Sequence, residues 1–457
     1  MAEHNVTVET TLKILLDEKK FASLRDILVT MNPADIAAIF EELETSRLPL
    51  LFRLLPKELA ADTFVEMEPE AQELLIRGFS DQELKEVIDE LYVDDAVDIV
   101  EEMPANVVQR ILSQADPDMR KQINEILRYP EDSAGSMMTT EYVSLRPNMT
   151  VEEAIRRIRR TGIDKETIYT CYVTKGHTLI GLVTVKALLL SEEDALIESI
   201  METNVIAVPT EADQEQVAQM FSKYNFLALP VVDQENRMVG IVTFDDAMDV
   251  MEDEATEDIE RMAAIIPSDK VYMRSSIFEI WKNRIPWLML LMVSATFTGM
   301  IISGFEQALA VQVALVGFIP MLMDSAGNSG SQASVTIIRG LSLGELEFRD
   351  LPKIVWKEIR VAVLCGISLA MVCFVKILVI DGWLLGNTGI TLQIDLVVCI
   401  TLAITVLFAK IVGAVLPLLA QKLGFDPTVM ASPFITTIVD ALSLLVYFTV
   451  ATSILPV

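Results

Sequence analysis

The sequence predicts a multidomain protein: an α-helical, solenoid-like N domain, an α/β tandem repeat, an acidic connecting helix and an α-helical membrane domain of five spans. Three observations carry that prediction. The 457 residues have a net charge of −30, yet residues 1–283 hold 56 acidic and 27 basic side chains while residues 284–457 hold 10 and 9. The back of the chain is instead apolar, in stretches long enough to cross a bilayer, which takes about 20 residues. Between front and back, one strand–helix–strand–strand–helix pattern occurs twice. The expected boundaries are 1–130, 131–250, 251–283 (the acidic run begins near 245) and 284–457.

Residues 10–130 read as short amphipathic helices. NPADIAAIFEEL, PKELAADTFVEM, SDQELKEVIDEL and VDDAVDIVEEM share one design, a capping or breaking residue followed by apolar positions at helical spacing. Units that repeat in this way stack into helical hairpins. Asp94 and Asp98 fall at i and i+4, one helix face, with Asp95 beside them. Like charges at that spacing repel without a counterion, so the face is either solvated or a cation site. So acidic a front repels nucleic acid and attracts divalent cations. The four cysteines are scattered and His4 and His177 are the only histidines, which argues against zinc chemistry and disulfides. The N-terminus lacks an apolar signal core, so the front is expected in the cytoplasm. No nucleophile–base pair or phosphate loop stands out, and an enzyme is not expected.

After the turn-rich EDSAGSM, one copy of the repeat runs from MMTTEYVSLRPNMTVEEAIRRI to YTCYVTKGHTLIGLVTVKALL. The other runs from IMETNVIAVPTEADQEQVAQMF to LALPVVDQENRMVGIVTFDDAMD. The duplication resembles a tandem CBS-domain pair, which implies a regulatory module able to hold an adenosine nucleotide such as ATP. On that resemblance Thr243 and Asp246 match the ribose-binding Thr/Ser-x-x-Asp motif, and Tyr169 and Phe226 are further nucleotide-site candidates. In the first copy Thr184 is followed by Ala187, so the acid is missing there. DDAMDVMEDEATEDIERM then forms a helix-favouring run crowded with carboxylates.

Apolar stretches lie at about 285–304, 308–338, 359–380, 394–420 and 427–455. Lys270, Arg274, Lys282 and Arg284 precede the first, Arg339, Arg349, Lys353, Lys357 and Arg360 separate the second from the third, and Lys422 separates the last two. The other loops carry none, so the N-terminus is expected inside and the C-terminus outside a multi-pass cell (inner) membrane, in contact with its lipid. Asp440 sits mid-span, where an ionised acid costs a few kcal/mol unless it meets a partner or water. Thr436 lies one turn earlier, and Ser432-Pro433 can loosen the backbone ladder. In the second stretch Asp324, Asn328, Ser331 and Gln332 interleave with Gly327 and Gly330, a pattern that suits helix packing or the lining of a wet path. Lys376 is expected to snorkel from a span end. With oxygen donors and no thiolate or imidazole cluster, the chemistry favours a hard divalent ion, and Mg²⁺ commonly rests on one or two carboxylates through retained waters.

This order of parts, with GNSGSQASVTIIRG and DPTVMASPFITTIVDALSLLVYF, resembles the MgtE magnesium channel family over essentially the whole chain. The resemblance implies a homodimeric Mg²⁺ channel with a central pore, closed by high cytoplasmic Mg²⁺. It implies that Asp440 is the pore acid, with Thr436 at a carbonyl contact, Ser432 where some members carry Asn, and Asn328 and Gln332 as further pore-lining candidates. The connecting segment is similar to the family's plug helix, and Asp246, Asp249, Glu254, Glu257 and Asp258 match its acidic sensor positions. Asp94 and Asp98 match the N-domain acids facing it. Glu215 resembles half of another metal site, in the repeat, whose second acid in some members stands where this chain has Asn225. Two other functions fit the same residues, a secondary Mg²⁺ transporter coupled to Na⁺ or H⁺, and a membrane-anchored nucleotide or Mg²⁺ sensor.

Overall fold

The computed structural model describes residues 2–455 apart from 44, 269, 271, 274, 385–390 and 431. The chain divides into two compact units, Met1–Met251 and Glu252–Val457.

The first unit opens with short helices whose starts are written in the sequence. Asn32 accepts from the Ala34 N–H at 3.1 Å with Pro33 in the first turn of Pro33–Glu41, and Ser80 with Glu83 forms a capping box for Asp81–Ile88. Asp116 caps Pro117–Ile126 in the same way. Their apolar faces merge into one core that includes Leu24, Leu28, Ile36, Phe40, Leu75 and Val97. Phe52, Phe64 and Phe79 meet within it at centroid distances of 5.3–6.5 Å.

The tandem repeat follows as two three-stranded sheets. In one, β1 (Ser144–Leu145) pairs parallel with β2 (Thr170–Lys175), which pairs antiparallel with β3 (Thr178–Thr184). In the other, β4 (Val208–Pro209), β5 (Ala228–Val232) and β6 (Met238–Thr243) repeat that order. The repeat extends to an irregularity in the second strand of each sheet, between Val173 and Thr174 and between Val231 and Val232. The lead-in to each copy bridges the last strand of the other, Thr139 to Ile241 and Glu202 to Leu182. Glycine permits both approaches: a Cβ on Gly240 would lie 2.7 Å from the Thr139 carbonyl oxygen, and one on Gly181 would lie 3.0 Å from that of Glu202. This exchange brings residues 139–141 beside the start of the helix Phe244–Met262, which follows β6 directly.

That helix ends at Met262, so the connecting segment 251–283 is not one helix; the first long helix of the second unit is Ile277–Gly304, which starts eight residues earlier than hydropathy places it. The stretch 308–338 is also not one helix. It divides into Glu306–Val311, a tight 3₁₀ segment Val313–Phe318 and the second long helix, Ile319–Ser342. The third, Leu351–Lys376, widens into a π-helical segment Ile377–Leu384, and the fourth and fifth are Leu392–Lys422 and Ser432–Ile454. Among the described residues four helices are long and apolar enough to cross a membrane by composition alone. The second falls short because it carries Asp324, Asn328, Gln332 and several serines.

The second helix packs on the fourth and fifth. Gly330 and Gly413 bring backbones together so closely that a Cβ on Gly413 would lie 2.2 Å from the Gly330 carbonyl oxygen. Tyr447 donates to the Leu315 carbonyl at 3.0 Å, and Phe305 stacks on Phe448 at 4.7 Å. Lys376 does not simply snorkel: it pairs with Asp381 at 2.7 Å and lies over the Phe318 ring.

Gly413→Ala puts a methyl into a backbone contact with no room to yield. Overpacking of this kind costs about 1–3 kcal/mol, so the variant should purify in lower yield and melt earlier in detergent, whereas Gly299→Ala, with open space around its Cβ position, should match the parent protein.

Candidate functional site: an acidic cation centre and an intramembrane polar path

The helix Val93–Glu102 buries Val93, Ala96, Val97, Ile99 and Val100. That amphipathic register also carries Asp94 inward, to 6% exposure, so Asp94 is not part of a solvated face. One oxygen each from Asp94, Glu141 and Glu166 lie within 4.8 Å of one another. Three different segments meet there: the N-domain helix, the lead-in to β1, and the turn before β2. Asp94 Oδ1 and Glu166 Oε2 are buried without a hydrogen-bond partner. Glu141 is held by the Val93 N–H, which donates to its Oε2 at 3.3 Å.

Asp246 adds a fourth segment. Its Oδ2 accepts from the Thr243 hydroxyl and its charge acts on Asp94, Asp95, Asp98 and Glu166. The proton affinities record the crowding. Burial, then Asp246, pushes Asp94 well above the usual carboxylate range and Asp95 up to about 7. Burial, then Asp95 and Asp246, pushes Glu166 up to about 8, and burial pushes Asp246 up to about 6. Asp98 is raised by its packed surroundings first and by Asp246 and Asp95 next, but its own surface is open to solvent and water screens it more than Asp94. Asp249 contributes a neighbouring field, raising Glu66 after burial.

The donor set is all oxygen, which suits a hard divalent cation that keeps part of its water shell. The two partnerless buried oxygens are what such an ion would satisfy. Glu141 and Glu166 escape sequence reasoning because they lie 47 and 72 residues from Asp94 and share no spacing with it. Only the exchanged lead-in segments, implicit in the duplication, point to them.

The other sequence candidates fall elsewhere. Glu215, in the first turn of Gln214–Tyr224, accepts from Gln219 at 3.1 Å and does not join the Asp94 group, while Asn225 closes that helix in a left-handed conformation. Thr184 caps its helix through the Ala187 N–H at 3.1 Å, and Tyr169 is exposed. Phe226 stacks on Tyr224 at 5.3 Å, while Thr243 is buried and committed to Asp246. In the second unit Asp258 accepts from Ser342 at 3.2 Å, and Arg261 bridges Glu257 and Asp426. Glu254 lies on the same helix.

Inside the membrane domain the polar and small residues of the second helix separate onto two faces. Gly327, Gly330 and Ser334 are buried, Ser334 donating to the Met430 carbonyl at 3.1 Å. Asp324, Asn328 and Gln332 are exposed, at steps of four. The fifth helix sets Asp440 across Gly327, where a Cβ would meet Thr436 Cγ2 at 3.1 Å and Asp440 Oδ1 at 3.7 Å. The Thr436 hydroxyl donates to the Pro433 carbonyl at 2.9 Å. The Ser432 side chain lies outside the described residues.

Residues 319–450 match the family described as MgtE, divalent cation transporter; 31–132 match the MgtE intracellular N domain; 134–193 and 197–253 match CBS domains. The magnesium transporter MgtE of Thermus thermophilus is 37% identical over 447 residues, 96% of this chain and 97% of that protein. This chain belongs to the MgtE family. The Bacillus subtilis magnesium transporter MgtE is 32% identical over 441 residues, 96% of each chain. Among solved structures, the cytosolic domain of the Mg²⁺ channel MgtE in complex with ATP is 37% identical, with a TM-score of 0.51, covering 53% of this chain and 99% of that one. The soluble part of a magnesium transporter is 29% identical, also with a TM-score of 0.51, over 56% and 100%. Family and apolar helices together make this a multi-pass membrane protein.

The pH dependence of the first unit follows from the acids themselves. Their folded-state proton affinities exceed their unfolded ones, so between the usual carboxylate range and about 8 the folded unit binds more protons than the unfolded chain. Stability is full below that range and lost as pH rises through about 6 to 8. Limited proteolysis of the full-length MgtE protein without divalent ions should therefore cut the first unit faster at alkaline than at mildly acid pH. Asp94→Asn should flatten the slope, and millimolar Mg²⁺ should suppress it. A cleavage rate independent of pH would contradict the arrangement.

Proposed function

We propose that this MgtE protein is a homodimeric Mg²⁺ channel that admits Mg²⁺ to the cytoplasm and closes when cytoplasmic Mg²⁺ fills its acidic surfaces. The observation that carries the proposal is the Asp94–Glu141–Glu166 group with Asp246 beside it, one buried and three half-buried carboxylates from four segments, in which Asp94 Oδ1 and Glu166 Oε2 are buried without a hydrogen-bond partner. Mg²⁺ transport itself accords with the named relatives.

The mechanism is electrostatic. Without Mg²⁺ the carboxylates of Val93–Glu102, of the repeat and of Phe244–Met262 repel; a bridging cation turns that repulsion into attraction. Mg²⁺ binds the closed arrangement better, so occupancy shifts the population towards closure. Moving a gate from 99% to 1% open takes about 5.5 kcal/mol of differential binding, which several moderate sites supply together. Asp98, Asp249, Glu254, Glu257 and Asp258 are the further acids on these helices, and Glu215 is a weaker candidate. In the membrane, Asp440 holds a hydrated Mg²⁺ beside Thr436, with Asn328 and Gln332 along the path and Ser432 at its inner end. The exposure of Asp324, Asn328 and Gln332 in a single chain fits a path completed by a second copy. Leu288, Leu290, Met292 and Phe297 of the first membrane helix suit lipid.

A coupled Mg²⁺ transporter remains the competing reading, because Lys410 is buried within the fourth membrane helix and a buried lysine can serve ion or proton coupling. ATP is a second ligand to test: the similar cytosolic domain holds it, but here Asp246 is shared between Thr243 and the acidic centre, so nucleotide and cation would draw on one carboxylate.

Single-channel recording in planar bilayers, with Mg²⁺ as the permeant cation, tests the proposal. Unitary currents should shut as cytoplasmic Mg²⁺ rises. Asp440→Asn should reduce current at least tenfold, and Asp94→Asn with Asp246→Asn should conduct normally but need at least tenfold more Mg²⁺ to close, about 1.4 kcal/mol or more. Flux that requires a Na⁺ or H⁺ gradient would establish the coupled transporter instead.

A further inference from the structure

We infer that Asp324 is a second cation-attracting carboxylate of the transport path, one that sets how well the path collects divalent ions before they reach Asp440. The inference rests on the reading of Asp440 as the path's acid and adds a residue to it.

Asp324 is the single acid of the helix Ile319–Ser342 and is exposed, and among the described residues no lysine or arginine pairs with it. An acid at such a depth meets water, a cation or a partner. Its position relative to Asp440 is fixed by Gly327. The Asp440 carboxylate packs across that glycine, 3.7 Å from where its Cβ would stand, and Asp324 lies one helical turn before Gly327. Asn328 and Gln332 continue the same exposed face at four-residue steps, and Arg339, also exposed, stands at its far end. Ser443, one turn beyond Asp440, is 2% exposed and its hydroxyl lacks a partner.

The face is thus graded, with a carboxylate at one end, two amides between, and a guanidinium at the other. The basic loops place the Arg339 end on the cytoplasmic side, which puts Asp324 towards the exterior. An ion arriving from outside meets the Asp324 charge, then Asp440. Mg²⁺ retains its waters, so an acid several ångströms from the ion's resting place still raises local cation concentration through the field. Asp324 is a specificity-determining residue in this sense: it favours divalent over monovalent cations, because the attraction scales with ionic charge.

The test uses the full-length protein in planar bilayers, comparing Asp324→Asn, Asp324→Glu and Asp440→Asn at low and high external Mg²⁺ and at two ionic strengths. Asp324→Asn should lower unitary Mg²⁺ current about fivefold at low Mg²⁺ and low salt, with the deficit shrinking at saturating Mg²⁺ or high salt as screening removes the field. Asp324→Glu should restore most of the current. Asp324→Ser serves if the Asn variant fails to assemble. Wild-type current and salt dependence in the neutral variants, beside a silent Asp440→Asn, would overturn the role of Asp324 and leave the Asp440 reading standing. Full current in Asp440→Asn would overturn both.

Discussion

The first unit holds the carboxylates of Asp94, Glu141 and Glu166 together, with Asp94 Oδ1 and Glu166 Oε2 buried without a hydrogen-bond partner. Asp94 cannot leave the interior, because the register that buries Val93, Val97 and Val100 also buries its side chain. Glu141 cannot leave either, since the lead-in strand carrying it is pinned to β6 through Thr139 and Ile241. The fold thus holds carboxylates where electrostatics alone would separate them, and burial with neighbouring acids raises their proton affinities. The packing of apolar neighbours sets where the acids stand.

The membrane domain solves the reverse problem, keeping polar groups where lipid would exclude them. Its second helix uses glycine on one side and polar side chains on the other. Gly330 lets the backbone of the fourth helix approach its own at Gly413, and Gly327 leaves room for Thr436 and Asp440 of the fifth. That frees the opposite face to carry Asp324, Asn328 and Gln332. A helix with apolar residues all round could not do both. The same division explains why this helix is not among the four that are long and apolar enough by composition to cross a membrane.

Much of this was legible in the sequence. The capping residues Asn32 and Ser80, the duplicated sheets and Asp440 mid-helix follow from local pattern, because each depends on residues a few positions apart. Three things were not legible. The 3₁₀ break at Val313–Phe318 hides within the stretch expected at 308–338, since its Leu315 carbonyl is held by Tyr447, 132 residues away in sequence. Lys376 looks like a snorkelling lysine until the π-helical segment brings Asp381 round to it. Glu141 and Glu166 carry no local signal at all, and only strand exchange between the two copies assembles them with Asp94.

The helix Phe244–Met262 joins these two designs in one element. Asp246 at its start belongs to the crowded acidic centre, and Asp258 and Arg261 near its end bind Ser342 and Asp426, which border the second and fifth membrane helices. The helix runs nineteen residues without proline or glycine. Arg261 sharpens the asymmetry: at that end a guanidinium already balances Glu257 and Asp426, whereas Asp94 Oδ1 and Glu166 Oε2 are buried without a hydrogen-bond partner. A divalent ion entering the first unit would satisfy those two oxygens, whereas at the Arg261 end it would compete with a cation already in place.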